Sequence, residues 1–117
     1  MTQTAIHGLS THVLNTANGL PAAGLLVHCQ ILKGETWADL KSARTDGDGR
    51  VGNFLNAGKL NAGTYRMTFA TGAWFAEKNI ETFFPTVAIE FRVSDAARHH
   101  HVPLLLSPFG YSTYRGS

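Results

Sequence analysis

The chain has 117 residues, of which 44% are hydrophobic and 15% are charged, and its formal net charge is +2. This length and composition are typical of one globular domain with its own core, so we expect a single domain over residues 1–117. The sequence contains no basic run of the kind that marks nucleic-acid binders and no long apolar run that predicts a membrane span. A single cysteine, Cys29, excludes an internal disulfide and a thiolate zinc site. With no secretory signal pattern at the N-terminus, this favours the cytoplasm.

The first half of the chain shows the two-residue periodicity of β-strands. A first strand is predicted over Ile6–Leu14, followed by a loop rich in Asn, Gly and Pro over Asn15–Gly24. The next strand, Leu25–Leu32, has apolar residues on both faces, which predicts a strand covered on both sides and a buried Cys29. A weaker strand pattern follows over Trp37–Thr45.

The second half continues in short strands. Asp46–Arg50 predicts a tight turn because its glycines allow positive φ and its aspartates bond their own backbone. The remaining predicted elements are strands over Thr64–Ala70, Val87–Val93, His99–Ser107 and Tyr111–Arg115, and a short helix over Gly72–Asn79. Short strands at regular spacing predict an all-β protein, a mostly antiparallel β-sandwich of seven to eight strands with one short helix.

Three consecutive histidines begin the strand His99–Ser107. Alternation places His99 and His101 on one face together with Pro103, while His100 faces the other way. Two histidines on one face could share a metal ion, but zinc needs further ligands and no second pair has ligand spacing. Ordinary surface or interface histidines are the competing interpretation.

His12 and Arg50 are two further candidates for chemistry. His12 lies on the predicted first strand and would suit general acid–base work, although a histidine satisfied on a half-buried face is the simpler interpretation. Arg50 closes the Asp-Gly turn and is either a solvated turn residue or a guanidinium fork that binds a planar anionic ureide. A calcium loop is excluded because Ala57 stands at the twelfth position, where an acidic ligand is required.

The C-terminus is rich in hydroxyl and aromatic side chains, and alternation places Ser112 and Tyr114 on one face. The sequence has no serine elbow, no glycine-rich phosphate loop and no cysteine nucleophile in a plausible setting. If the chain is an enzyme, water is therefore the expected nucleophile.

Four segments together resemble the 5-hydroxyisourate hydrolase family. They are Leu9-Ser-Thr-His12-Val-Leu, Thr45-Asp-Gly-Asp-Gly-Arg50, His101-Val-Pro-Leu-Leu-Leu-Ser-Pro and Tyr114-Arg-Gly-Ser117, in the family's order. The terminal tetrapeptide is the most specific of them, and hormone-carrying relatives lack both it and the histidine–arginine–histidine set. Departures from the family's pattern are Asn15, Thr86 and His100, which stand where Asp, Glu and Tyr are usual.

The resemblance implies a transthyretin-like β-sandwich that forms a homotetramer, a dimer of dimers with active sites between the dimers. It implies hydrolysis of 5-hydroxyisourate, the product of urate oxidation, with no metal or organic cofactor and no nucleic-acid or membrane partner. It assigns catalysis to His12, Arg50, His101 and Ser117, and substrate binding to His12, Arg50 and Tyr114. Either histidine could be the base, with Arg50 stabilising the oxyanion. A small-ligand carrier without turnover, an interaction domain and a histidine-based metal protein are the alternatives.

Overall fold

The computed structural model describes residues 8–55 and 60–116. Nine strands and one helix lie in these ranges, and we number them in chain order. They are β1 (Leu9–Asn15), β2 (Leu20–Pro21), β3 (Leu26–Lys33), β4 (Thr36–Arg44), β5 (Arg50–Leu55), β6 (Gly63–Phe69), α1 (Thr71–Ala76), β7 (Val87–Val93), β8 (His100–Ser107) and β9 (Gly110–Thr113).

The strands form two sheets. One sheet has the order β2-β1-β8-β9, with β5 also paired to β1, and the other has the order β4-β3-β6-β7. Every pair is antiparallel except β1 with β8, which run parallel. The predicted all-β sandwich with mostly antiparallel strands and one short helix is confirmed.

The core lies between the two sheets and takes alternate residues of each strand. On β1, Leu9 and Val13 are fully buried, and on β8 Leu104 and Leu106 are fully buried. The opposite face of β1 and β8 is therefore directed away from the core, and this face carries the candidate site.

The prediction that β3 is covered on both sides was wrong. Its burial alternates, with Val27, Cys29 and Ile31 inside and Leu26 37% exposed. The outer face is partly exposed and carries polar contacts, since His28 bonds Ser42 and Asp39 across the β3–β4 pair. Cys29 is a free, buried thiol, as predicted.

The remaining differences concern element boundaries. The start of the first predicted strand, before Gly8, lies outside the described residues. Strands β2 and β5 were not predicted, because Leu20–Pro21 lies inside the predicted loop Asn15–Gly24 and Arg-Val-Gly-Asn-Phe-Leu does not alternate. The helix begins at Thr71 and ends at Ala76; shortly beyond it Asn79 adopts a left-handed conformation with φ 57°.

Within the two described ranges, no helix has the length and hydropathy needed to cross a bilayer.

Candidate active site

Two rows of side chains cross the outward face of the β5-β1-β8 strands. In one row, His12 of β1 stands directly opposite Arg50 of β5. In the next row, Ser10 of β1 stands opposite His101 of β8. His12 is a diagonal neighbour of His101 on the adjacent strand, while Arg50 and His101 lie on opposite sides of β1. The structure thus brings together His12, Arg50 and His101, which the sequence analysis singled out separately.

The turn before β5 fixes where Arg50 begins its strand. The Asp46 carboxylate accepts hydrogen bonds from the backbone N–H of Asp48 and of Arg50, at 2.9 and 3.0 Å. The bond from Arg50 is the main reason that the pKa of Asp46 is lowered. Gly49 has φ 77°, and its carbonyl accepts a 2.8 Å hydrogen bond from the backbone N–H of Val13. The turn is thereby attached to the strand that carries His12.

A cavity of about 260 Å³ opens on this face, and His12 is not among the residues that line it. Arg50 and His101 contribute to its wall, and the complete described lining is Ser10, Thr11, Arg50, Gly52, His99 and His101. The cavity is open to solvent on this side of the chain, so it is a shallow cleft and not an enclosed pocket. Its polar lining suits a hydrophilic ligand.

The surroundings of His101 favour its neutral form. Burial is the main cause that lowers its pKa below the ordinary histidine value, and electrostatic interactions with His99, His12 and Arg50 lower it further. An interaction with the backbone of Ser10 opposes these effects only in part. A neutral imidazole next to a permanent cation can accept or donate a proton in a reaction near neutral pH.

Comparisons with known proteins identify the family of this chain. Residues 9–116 match the HIUase/Transthyretin family. The chain belongs to this family. A 5-hydroxyisourate hydrolase of Salmonella dublin is 44% identical, over 93% of this chain and 80% of the relative. The solved 5-hydroxyisourate hydrolase of Klebsiella pneumoniae is 40% identical, with a TM-score of 0.81 over 93% of this chain and 98% of that chain. Sea bream transthyretin in complex with thyroxine is 26% identical, with a TM-score of 0.88 over 92% and 93%.

In this member of the HIUase/Transthyretin family, the C-terminal segment packs on the site. The backbone N–H of Gly116 donates a 2.8 Å hydrogen bond to the carbonyl of His101. Gly116 also lies against the His101 ring, where a β-carbon would stand 2.5 Å from Cδ2. Ser117 lies outside the described residues.

Tyr114 is placed differently from the other candidates. Its side chain is 57% exposed and lines a second cavity, of about 320 Å³, between β7, β8 and the C-terminal segment. His101 lines both cavities, whereas Arg50 lines only the first. Within one chain, Tyr114 and Arg50 therefore border different sides of His101.

The predicted alternation of the three histidines is confirmed. His100 is buried on the core side, where its Nδ1 lies 2.9 Å from the carbonyl of Arg98. His99 and His101 face the cleft, and both bond the Ser10 hydroxyl, at 2.7 and 2.8 Å. Among the described residues, no set of three or more His, Cys, Asp or Glu side chains is arranged to hold a metal ion.

Sequence reasoning gave His99 only a metal or surface role and gave Ser10 none. The signal for Ser10 was its shared face with His12, two residues along the same strand. The contact between Ser10 and His101 could not be predicted from local sequence, because 91 positions separate the two residues along the chain.

Proposed function

We propose that this chain is a 5-hydroxyisourate hydrolase, which opens the ring of its substrate to 2-oxo-4-hydroxy-4-carboxy-5-ureidoimidazoline in urate degradation. The observation that carries the proposal is the cross-strand pair of His12 and Arg50 with His101 in the next row of the same face. This arrangement supplies a base, a cation and a second imidazole on one face of the sheet.

The reaction is the hydrolysis of an activated cyclic amide. The oxygen of water bonds to the carbonyl carbon, the carbon–nitrogen bond of the ring breaks, the ring nitrogen receives a proton, and a carboxylate remains. These steps need a group that takes a proton from water and donors for the oxygen that becomes negative. Side chains of this chain can supply both, so we propose that no metal or organic cofactor takes part.

We assign the proton acceptor to one of the two histidines, His12 or His101, with the other orienting water or substrate. General-base catalysis contributes about 10²–10⁴-fold to such a rate. Arg50 would hold the ring and stabilise the oxyanion, since a guanidinium fork matches a planar ureide and one such donor contributes about 10²–10³-fold.

We also propose roles for the C-terminal residues. Tyr114 would contact substrate, and the carboxylate of Ser117 would orient Arg50 or a histidine. The contact between Gly116 and His101 supports this, because the chain reaches the catalytic imidazole one residue before Ser117. A peptide tag added after Ser117 should then reduce kcat/KM far more than the same tag before Met1. Equal activity of the two tagged proteins would remove the role of Ser117.

We propose a homotetramer, a dimer of dimers, as the working form. The open cleft supports this proposal, since a second copy across the sheet face would enclose the substrate and exclude water. Sedimentation velocity on the pure protein would show a tetramer, and a monomer that retains full activity would contradict it.

The proposed location is the cytoplasm. The one cysteine is a buried thiol that has no second cysteine in this sequence to form a disulfide with, which fits a reducing compartment.

The test is an ultraviolet time course of 5-hydroxyisourate, generated in place from urate by urate oxidase. The wild-type chain should accelerate its decay over buffer, while His101→Ala and Arg50→Lys should lose most of the acceleration. Arg44→Lys is the matched control, because Arg44 lies on β4 of the other sheet and is exposed. Decay no faster than in buffer would contradict the hydrolase.

The alternative is a small-ligand carrier, which the close fold match to a thyroxine complex of transthyretin favours. A carrier would bind an aromatic ligand and leave 5-hydroxyisourate unchanged. The same time course, repeated with thyroxine as a competitor, separates the two functions.

A further inference from the structure

The Ser10 hydroxyl joins two imidazoles beside the cleft. Its Oγ lies 2.7 Å from Nε2 of His99 and 2.8 Å from Nδ1 of His101. Ser10 is only 5% exposed, so water has little access to this oxygen. The three side chains therefore have to satisfy one another.

We infer that Ser10 and His99 set the tautomer of His101, so that its Nδ1 accepts from Ser10 and its Nε2 carries the proton. Ser10 and His99 are positioning residues in this account, and His101 is the group that meets substrate. The catalytic part of the inference rests on the proposed hydrolase function, whereas the tautomer itself can be measured without any turnover.

The first step is to count hydrogens at the Ser10 oxygen. A hydroxyl donates one hydrogen bond and can accept two. If both imidazoles donated to it, the buried hydroxyl hydrogen would be left without an acceptor. One imidazole must therefore accept from Ser10, and the other must donate to it.

The second step decides which imidazole donates. Nδ1 of His99 is buried and has no hydrogen-bond partner among residues 8–55 and 60–116. If Ser10 donated to His99, the proton of His99 would sit on this orphaned nitrogen, and buried N–H groups without partners are rare. With the proton on Nε2, His99 donates to Ser10 instead, and this is also the tautomer that free histidine prefers in water.

The consequence follows along the chain of hydrogen bonds. His99 donates to Ser10, Ser10 donates to Nδ1 of His101, and the proton of the neutral His101 ring is left on Nε2. His101 then serves as a hydrogen-bond donor to the substrate or its oxyanion. The proton of the attacking water goes to His12, which makes His12 the base of the pair.

The direct test is nitrogen NMR of the wild-type protein labelled with ¹⁵N-histidine, with His101→Gln used to assign the signals. We expect a protonated, pyrrole-type Nε2 and an unprotonated, pyridine-type Nδ1 for His101 at neutral pH. A protonated Nδ1, donating to either oxygen of Ser10, would overturn the inference.

Variants test whether Ser10 and His99 cause this state. Ser10→Ala and His99→Leu remove the bonds that define it, so both nitrogens of His101 should show exchange between tautomers. We expect kcat/KM to fall by about ten- to a hundredfold, which is the loss typical when a residue that orients a metal-bound histidine is removed. His99→Gln keeps an N–H donor for Ser10 and should retain the wild-type tautomer and most of the activity.

The outcomes separate the two proposals. A wild-type chain that does not hydrolyse 5-hydroxyisourate contradicts the proposed function, whatever the tautomer. A wild-type chain that hydrolyses it, with Ser10→Ala and His99→Leu unchanged in both His101 tautomer and kcat/KM, contradicts only the present inference.

Discussion

Gly116 lies so close to the imidazole of His101 that a β-carbon on it would stand 2.5 Å from Cδ2 and 3.1 Å from Cγ. Carbon atoms in contact are about 3.5–4.0 Å apart, so Gly116→Ala would push the ring by about 1 Å. A displacement of that size at a catalytic group can cost about 10²-fold in rate. We expect this loss in kcat/KM for 5-hydroxyisourate, with a melting temperature close to wild type.

Gly110→Ala is the matched control for that variant. Gly110 also lies near the C-terminus, but a β-carbon there would meet only the Ser107 hydroxyl, at an ordinary 3.6 Å. Its activity should stay near wild type. Equal activity of Gly116→Ala and wild type would show that the His101 ring tolerates displacement.

Much of the site was predictable because the alternation of side chains between the two faces of a strand depends only on local sequence. Alternation alone separated His100 from His101, and it placed Ser10 and His12 on one face. This alternation does not predict which strands pair with one another. The parallel β1–β8 register that sets Ser10 against His101, and the β1–β5 register that sets His12 against Arg50, depend on contacts between distant segments.

The fold shows the same division. The strand Val87–Val93 was predicted with its exact bounds, since it alternates without interruption between a core face and a polar face. Strand β5 was missed because Gly52 and Asn53 follow Arg50 and Val51 without a β-pattern. Its pairing with β1, and not its own residue preferences, makes this segment a strand.

Gly49→Ala should destabilise the fold at the point where the turn meets β1. Gly49 has φ 77°, and a β-carbon on it would stand 2.5 Å from the carbonyl oxygen of Val13. The left-handed conformation costs an alanine about 1–2 kcal/mol, and the contact with Val13 adds to that cost. Gly19→Ala isolates the first contribution, because Gly19 has the same φ but open space around it. Urea unfolding should show a clearly larger loss for Gly49→Ala, and equal losses would mean that the contact at Val13 relaxes freely.

Acidification should destabilise the protein partly through His101. Burial and the neighbours His99, His12 and Arg50 lower its pKa in the folded chain below the unfolded value of about 6.5. At a pH between these two pKa values, the unfolded chain therefore binds a proton at this residue more readily than the folded chain does. Stability from this group is therefore complete above pH 6.5 and is lost as the pH falls through that window. His101→Asn removes the titration and should flatten the dependence of the unfolding free energy on pH. The measurement is urea unfolding from pH 7.5 to 5.5 at one protein concentration, and parallel curves for both proteins would contradict the expectation.

Asp46 should control activity through the backbone of Arg50. Its Oδ1 accepts from the N–H of Asp48 and from that of Arg50, which fixes the direction in which β5 leaves the turn. Asp46→Ala removes both bonds and should lower kcat/KM by about tenfold or more, since catalytic groups lose rate steeply with small misplacements. Asp46→Asn keeps an oxygen acceptor at the same position and should recover most of that loss. Asp48→Ala is the control, because the hydrogen bond from Asp48 in this turn comes from its backbone and survives the substitution. Because Asn matches Asp in shape and differs in charge, an Asp46→Asn variant as impaired as Asp46→Ala would mean that the carboxylate acts by its charge on Arg50 and not by holding the turn.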